Sequence, residues 1–136
     1  MCKILSDRLA EAFAEKLHAD IRTTYWGYET IHATPQEMFE GKYQGIRPAI
    51  GYPSIPDHSE KETLFNLLQA TEHTGITLTE NYAMFPNASV CGLYFDTARA
   101  SYFNIGRIGE DQFIDYANRK QIDTTFLKKL IAKNVE

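Results

Sequence analysis

The sequence is short of the residues that build disulfide frameworks and metal centres. Its 136 residues include two cysteines, Cys2 and Cys91, far apart and in no ligand spacing. That argues against a disulfide scaffold and a zinc site, and suits two reduced thiols. The histidines His18, His32, His58 and His73 show no H-x-x-x-H or other metal spacing. No P-loop, G-x-G-x-x-G or Ser-His-Asp signature is present. Basic residues are outnumbered, 14 Lys and Arg against 18 Asp and Glu, for a formal net charge of −4. The composition therefore lacks the basic excess of a nucleic-acid binder. No apolar run approaches the ~20 residues of a membrane span. The start, Met1-Cys2-Lys3-Ile4, lacks the basic-then-apolar layout of a signal peptide. The expectation is a cytoplasmic protein that binds neither nucleic acid nor membrane.

What the chain does have is an ordinary globular composition, 43% hydrophobic and 12% aromatic, in a length that fits one domain. Leu5 to Tyr25 predicts a helix. Leu5, Leu9, Phe13, Leu17 and Ile21 recur every four residues as its apolar stripe, and charges such as Arg8, Glu15 and Lys16 occupy the remaining faces. Gly27 is its expected terminator. Thr34-Pro35-Gln36-Glu37 reads as a capping box opening a short helix that ends at Gly41. A third helix begins at Asp57 or Ser59, with Asp57 and Glu60 as a second capping-box candidate. Its expected buried face is Leu64, Phe65, Leu67 and Leu68, and Gly75 closes it.

Three strand candidates follow: 76–85, 89–95 and 101–107. Pro86-Asn87 and residues 96–99 read as turns between them, so an antiparallel meander is expected. Two helices end the chain, 110–120 and one capped by Asp123 that runs to about Lys133. The fold class is α+β, an antiparallel β-meander packed with helices.

The unusual segment is Gly45 to Lys61. Its first fourteen residues, to His58, hold two glycines and three prolines, a stiff, irregular stretch. Arg47 offers a rigid, always-charged fork suited to a carboxylate or phosphate. Gly51 allows close approach to the backbone, and Tyr52 adds an aromatic face. The plainer reading is a fold-stabilising arginine in a tight connection. Tyr102-Phe103 is a strand pair whose rings face opposite sides, one able to line a pocket and meet a sulfonium or an adenine; the plainer reading is two ordinary strand aromatics. Glu11 and Asp7, on the first helix, are either boundary residues of a site or solvated carboxylates. His58 reads as a helper in capping the third helix.

Arg47-Pro48-Ala49-Ile50-Gly51-Tyr52-Pro53 closely resembles the activation domain of cobalamin-dependent methionine synthase, which carries an R-x-x-x-G-Y segment of this kind. The likeness continues in order through Asp7 to Glu15, Tyr25-Trp26-Gly27-Tyr28, Tyr43-Gln44-Gly45-Ile46, Pro56 to Lys61, Glu72-His73-Thr74-Gly75 and Thr79 to Met84. The resemblance implies a cytoplasmic module of a methyltransferase in methionine biosynthesis. Such a module binds S-adenosylmethionine and presents it for reductive methylation of cob(II)alamin held by a partner domain, with flavodoxin or another one-electron donor supplying the electron. It implies that Arg47 holds the ligand carboxylate, that Ala49 and Gly51 offer backbone groups, and that Tyr102 and Tyr52 lie against the ligand, Tyr52 toward the corrin. Glu11 then sits near the ligand's polar end. Asp7 would make an interdomain contact, receiving the histidine that leaves cobalt.

The chain departs from the pattern at Phe103, where the family often has a second tyrosine. The family's domain also begins well before Met1, in a part that supplies an aspartate to the ligand site. Residues 1–136 are thus expected to be the C-terminal portion of the domain, its N-terminal part absent and the isolated chain inactive alone. The alternative is a docking or assembly fragment that binds no S-adenosylmethionine.

Overall fold

Nineteen residues without glycine or proline form the opening helix, α1 (Cys2–Asp20). It continues into a π-helical turn, Ile21–Tyr25, whose end is met by the Trp26 N–H on the Ile21 carbonyl, with Gly27 beyond it at φ +70°. A left-handed residue is what a helix end needs there, as the sequence suggested. The computed structural model describes residues 2–30 and 33–135; the expectations that fall on Met1 and His32 lie outside the described residues. The described chain divides into two compact units, Met1–Ala49 with Met84–Tyr102, and Ile50–Ala83 with Phe103–Glu136.

In the first unit α1 turns a different face inward from the one its periodicity suggests. Leu5, Leu9 and Phe13 are 60–66% exposed, whereas Ala14, His18 and Arg22 are buried. Both sets step by four, but five residues at that step wind through about 160° of a helix that advances about 100° per residue. A stripe so wide leaves the choice of buried side to whatever packs on it. Here Tyr43 and Tyr94 do so: the His18 ring lies 5.3 Å from Tyr43 and 5.1 Å from Tyr94. α2 (Pro35–Phe39) has the expected capping box, Thr34 and Glu37 exchanging side-chain and backbone bonds. Beyond Gly41 the chain runs extended. Ile46 pairs antiparallel with Phe95 and Ala49 with Gly92, through Ile46 N–H to the Phe95 carbonyl (3.0 Å), Phe95 N–H to the Ile46 carbonyl (3.1 Å) and Leu93 N–H to the Pro48 carbonyl (3.0 Å). A side chain at Gly92 would place Cβ 2.6 Å from the Pro48 carbonyl oxygen.

Among the described residues the second unit holds four helices. α3 (Glu60–Leu68) and α4 (Ala70–Thr74) are separated by Gln69 in the left-handed region and closed by Gly75 at φ +74°. On α3 the expected buried face is half right. Leu64 and Phe65 are half-buried, but Leu67 and Leu68 are exposed, and it is Lys61 that is buried. α5 (Glu110–Lys120) falls where the pattern puts it, and α6 (Thr124–Leu130) starts as expected but ends before the expected Lys133. Asp123 caps α6 by accepting from the Thr125 and Phe126 N–H groups. Phe113 and Ala117 of α5 meet Leu127 and Ile131 in the hydrophobic core, flanked by Ile108, Tyr116, Ile122, Leu130 and Val135.

A polar cluster lies beside that core. Asp57 accepts from the Ser59 N–H (2.8 Å) and hydroxyl (2.7 Å), the Tyr116 hydroxyl (2.6 Å) and the Lys120 ammonium (2.7 Å). Asp57 therefore anchors α5 as well as steering the start of α3. Ser59 is the cap residue itself, and its side chain makes no cap bond. His58 meets the buried Lys61 through Nδ1 at 2.7 Å, so its role near the helix start is as a partner to that lysine.

β1 (Thr77–Leu78) and β2 (Met84–Phe85) form a two-stranded antiparallel sheet. Its turn is tied by Thr79 N–H to the Ala83 carbonyl and Tyr82 N–H to the Thr79 carbonyl. The α+β class and the antiparallel pairing stand, in a helix-rich chain. The three strand candidates are realised unequally. 76–85 folds back on itself as the hairpin, 89–95 pairs by bridges with 46–49, and 101–107 forms no strand. Aromatic and β-branched content marks half-buried extended chain without naming its partner. No helix among the described residues is long and apolar enough to cross a membrane.

Candidate functional site

Arg47 lies between the bridged residues Ile46 and Ala49, and its side chain reaches the last third of α1. Its Nη1 donates to the Ala14 carbonyl at 3.1 Å and its Nη2 to Glu15 Oε2 at 3.0 Å. A guanidinium carries five N–H donors. Two are used in this way, and among the described residues no acceptor meets the other three. The Arg47 backbone N–H donates to the Tyr102 hydroxyl at 3.0 Å. Tyr102 is 61% exposed and lines a cavity of about 500 Å³ between the Tyr43–Ile46 and Ala98–Ser101 segments. Arg47, Tyr102 and that cavity are thereby brought together within one unit.

Behind Arg47 lies a layer of buried polar groups. Arg22 Nε donates to Glu29 Oε2 at 2.7 Å, and its guanidinium stacks 3.8 Å above the Tyr43 ring. The imidazole of His18 is fully buried and held neutral, its pKa brought down to about 4 by burial, then by the positive charges of Arg22 and Arg47, with Glu15 and Glu29 opposing. Burial also raises the hydroxyls of Tyr43 and Tyr94. Near neutral pH the His18 imidazole is thus uncharged, and the Tyr43 and Tyr94 hydroxyls keep their protons. Among the described residues no group of three or more His, Cys, Asp or Glu could hold a metal ion.

The other expected site residues are placed as follows. Ala49 is half-buried in its bridge to Gly92. Glu11 is exposed on α1, 3.8 Å from Arg8 Nη1, and Asp7 is half-buried on the same helix. In the second unit, Tyr52 is exposed and bridges Ile55. Phe103 is exposed, its backbone tied at both ends to the Ser54 hydroxyl. Gly51, at φ +97°, has a specific neighbour. A Cβ there would lie 2.3 Å from His58 Cε1, so the group that comes close to this backbone on that side is the His58 imidazole.

Sequence reasoning missed Glu15, assigned above to a solvated face. It also missed the Ala14 carbonyl and the His18–Arg22–Tyr43–Tyr94 layer. Nothing local marks Glu15: its partner is 32 residues away. For His18 and Arg22 a signal existed, since both lie a multiple of four residues from Ala14.

This fold coincides with a solved structure. A crystal structure of the MetH reactivation domain bound to AdoHcy superposes with a TM-score of 0.92 at 47% identity, over 98% of this chain and 41% of that one. The class is thus that of a helix-rich reactivation domain, of which this chain spans less than half the matched length. Residues 1–121 match the family described as vitamin B12 dependent methionine synthase, activation domain. The chain belongs to that family.

Proposed function

We propose that this chain binds S-adenosylmethionine and presents it to a cobalamin held by a partner domain of methionine synthase, so that an inactive cob(II)alamin is methylated and the enzyme returns to its cycle. The observation that carries the reading is Arg47. Its guanidinium is fixed on one side by Ala14 and Glu15 and keeps three N–H donors for a ligand carboxylate, which a planar fork takes up in pairs. The AdoHcy in the related reactivation domain supports the ligand class. S-adenosylmethionine supplies the methyl group, and flavodoxin or another one-electron donor supplies the electron, in the cytoplasm.

The residues of this chain do the positioning. Arg47 orients the carboxylate, Tyr102 offers an exposed ring beside it, and Ala49 contributes backbone. The family resemblance extends the contacts to Glu11, Gly51, Tyr52 and Phe103, with Asp7 facing the partner domain. Residues 1–136 act as the C-terminal portion of the activation domain.

The test is calorimetric titration of the chain with S-adenosylmethionine, with Arg47→Ala alongside. Saturable binding that weakens by about 1.5–3 kcal/mol in the variant, the scale of a hydrogen bond to a charged group, supports the reading. Unchanged affinity removes Arg47 from the site. A second reading, a docking fragment that binds no S-adenosylmethionine, is favoured by one observation: Leu5, Leu9 and Phe13 form an exposed apolar row on α1, as an interaction surface would. The absence of binding by a folded chain selects it.

A further inference from the structure

We propose that Glu15 is a positioning residue for the ligand: together with the Ala14 carbonyl it locks the guanidinium of Arg47 before the ligand arrives. The inference rests on the reading of Arg47 given above and deepens it.

Both terminal nitrogens of Arg47 are engaged by consecutive residues of α1, Nη1 by the Ala14 carbonyl and Nη2 by Glu15 Oε2. The two bonds fix the orientation of the planar fork, and with it the torsions of the aliphatic stem up to Cδ–Nε. What remains is Nε–H and one further hydrogen on each terminal nitrogen, three donors of a kind that a carboxylate takes up in pairs. Arginine is among the most rotamer-rich side chains, so ordering it in advance lowers the cost of binding. The other end of the lever is also fixed, since the Arg47 backbone N–H is held by the Tyr102 hydroxyl.

Glu15 is itself held in place. The Arg47 side chain is 20% exposed and that of Glu15 32%, and Glu15 Oε1 is buried without a hydrogen-bond partner. A carboxylate with one oxygen in that state is an unfavourable arrangement for stability alone. An arginine–glutamate pair also partly neutralises the charge that draws in a ligand carboxylate. Two effects therefore compete, geometric preorganisation and electrostatic competition, and the first prevails because three N–H donors of Arg47 remain without an acceptor among the described residues.

The experiment is titration of the 136-residue chain and its Glu15→Ala, Glu15→Gln and Arg47→Ala variants with S-adenosylmethionine and with decarboxylated S-adenosylmethionine. The second ligand lacks the group that Arg47 would hold. Circular dichroism of each variant is recorded in parallel. Glu15→Ala is expected to weaken S-adenosylmethionine about tenfold, the scale of one charge-assisted hydrogen bond. Glu15→Gln, whose amide oxygen can still accept from Nη2, should stay within about threefold of the parent. Neither should change the affinity of the decarboxylated ligand.

Unchanged or tighter S-adenosylmethionine binding in Glu15→Ala, with Arg47→Ala still weakened, overturns the proposal and leaves the Arg47 reading standing. Equal weakening of both ligands by both Glu15 variants also overturns it, by showing a merely structural role. Full affinity in Arg47→Ala, or no binding by the parent chain, overturns the Arg47 reading and this inference with it.

Discussion

Replacing Lys120 by methionine isolates the energetic worth of the Asp57 cluster. The Lys120 ammonium donates to Asp57 (2.7 Å), to the Ser59 hydroxyl (2.6 Å) and to Glu60 (2.7 Å). Its side chain is 19% exposed and that of Asp57 4%. Methionine keeps the apolar stem and deletes the charge. Removing one partner of a buried pair costs roughly 3–5 kcal/mol. Asp57 retains three donors, from Ser59 twice and from Tyr116, so the lower end, about 3 kcal/mol, is expected. With an unfolding entropy of about 2.1 cal/mol/K per residue, that lowers the melting temperature by roughly 10 °C.

The pH dependence follows from Asp57. Burial alone would raise its pKa, but the bonds from Lys120, Tyr116 and Ser59 outweigh burial and hold the carboxyl below its ordinary value of 3.8. A depressed carboxylate adds stability above its unfolded pKa and loses it as pH falls through the folded one. The deficit of Lys120→Met is therefore full at pH 7 and shrinks in acid below about pH 4. Urea unfolding followed by circular dichroism at pH 7 and pH 3 measures both. A deficit under about 1 kcal/mol at pH 7, or one of equal size at both pH values, would refute the reasoning.

Three further outcomes are expected. Gly51→Ala should destabilise by more than about 1 kcal/mol in the same assay, because φ +97° is strained for alanine and the new Cβ meets the His58 ring at 2.3 Å. Leu9→Ser should move stability by less than about 0.5 kcal/mol, since Leu9 is exposed on α1; a large loss would mean that this face is buried. His18, its folded pKa near 4 against 6.5, resists a proton that the unfolded chain accepts. Stability should then fall by an amount on the order of 3 kcal/mol as pH drops from 6.5 to 4. His18→Phe should flatten that part of the curve, and an unchanged slope would count against the assignment.

Much of the fold is local chemistry, and that part was readable. Thr34 with Glu37 opens α2 and Asp123 opens α6, because a cap is satisfied by backbone groups two or three residues away. Gly27 and Gly75 sit at helix ends with positive φ. The faces of the helices were less legible. On α1 the apolar row of Leu5, Leu9 and Phe13 outweighs Ala14, His18 and Arg22 on any hydropathy scale, yet the second set is buried. Two tyrosines, Tyr43 and Tyr94, arrive on that side and offer rings against the neutral imidazole and, from Tyr43, against the guanidinium paired with Glu29. On α3 the same held for Lys61 against Leu67 and Leu68.

The candidate site divides in the same way. Arg47, Tyr102 and the glycine-bearing loop were singled out by residue type and by resemblance, and the structure joins Arg47 to Tyr102 by a backbone bond. It also assigns the space over Gly51 to His58 and supplies the hold of Ala14 and Glu15 on Arg47. The sequence by itself determined the α+β class, the caps that open α2 and α6, the family and the arginine. These depend on short-range rules or on a run of identities along the chain. Only the tertiary structure decided which helix faces are buried, which strand candidates pair with 46–49, and what holds the guanidinium. Those contacts join residues tens of positions apart, and their energies depend on what arrives opposite, a quantity no local pattern encodes.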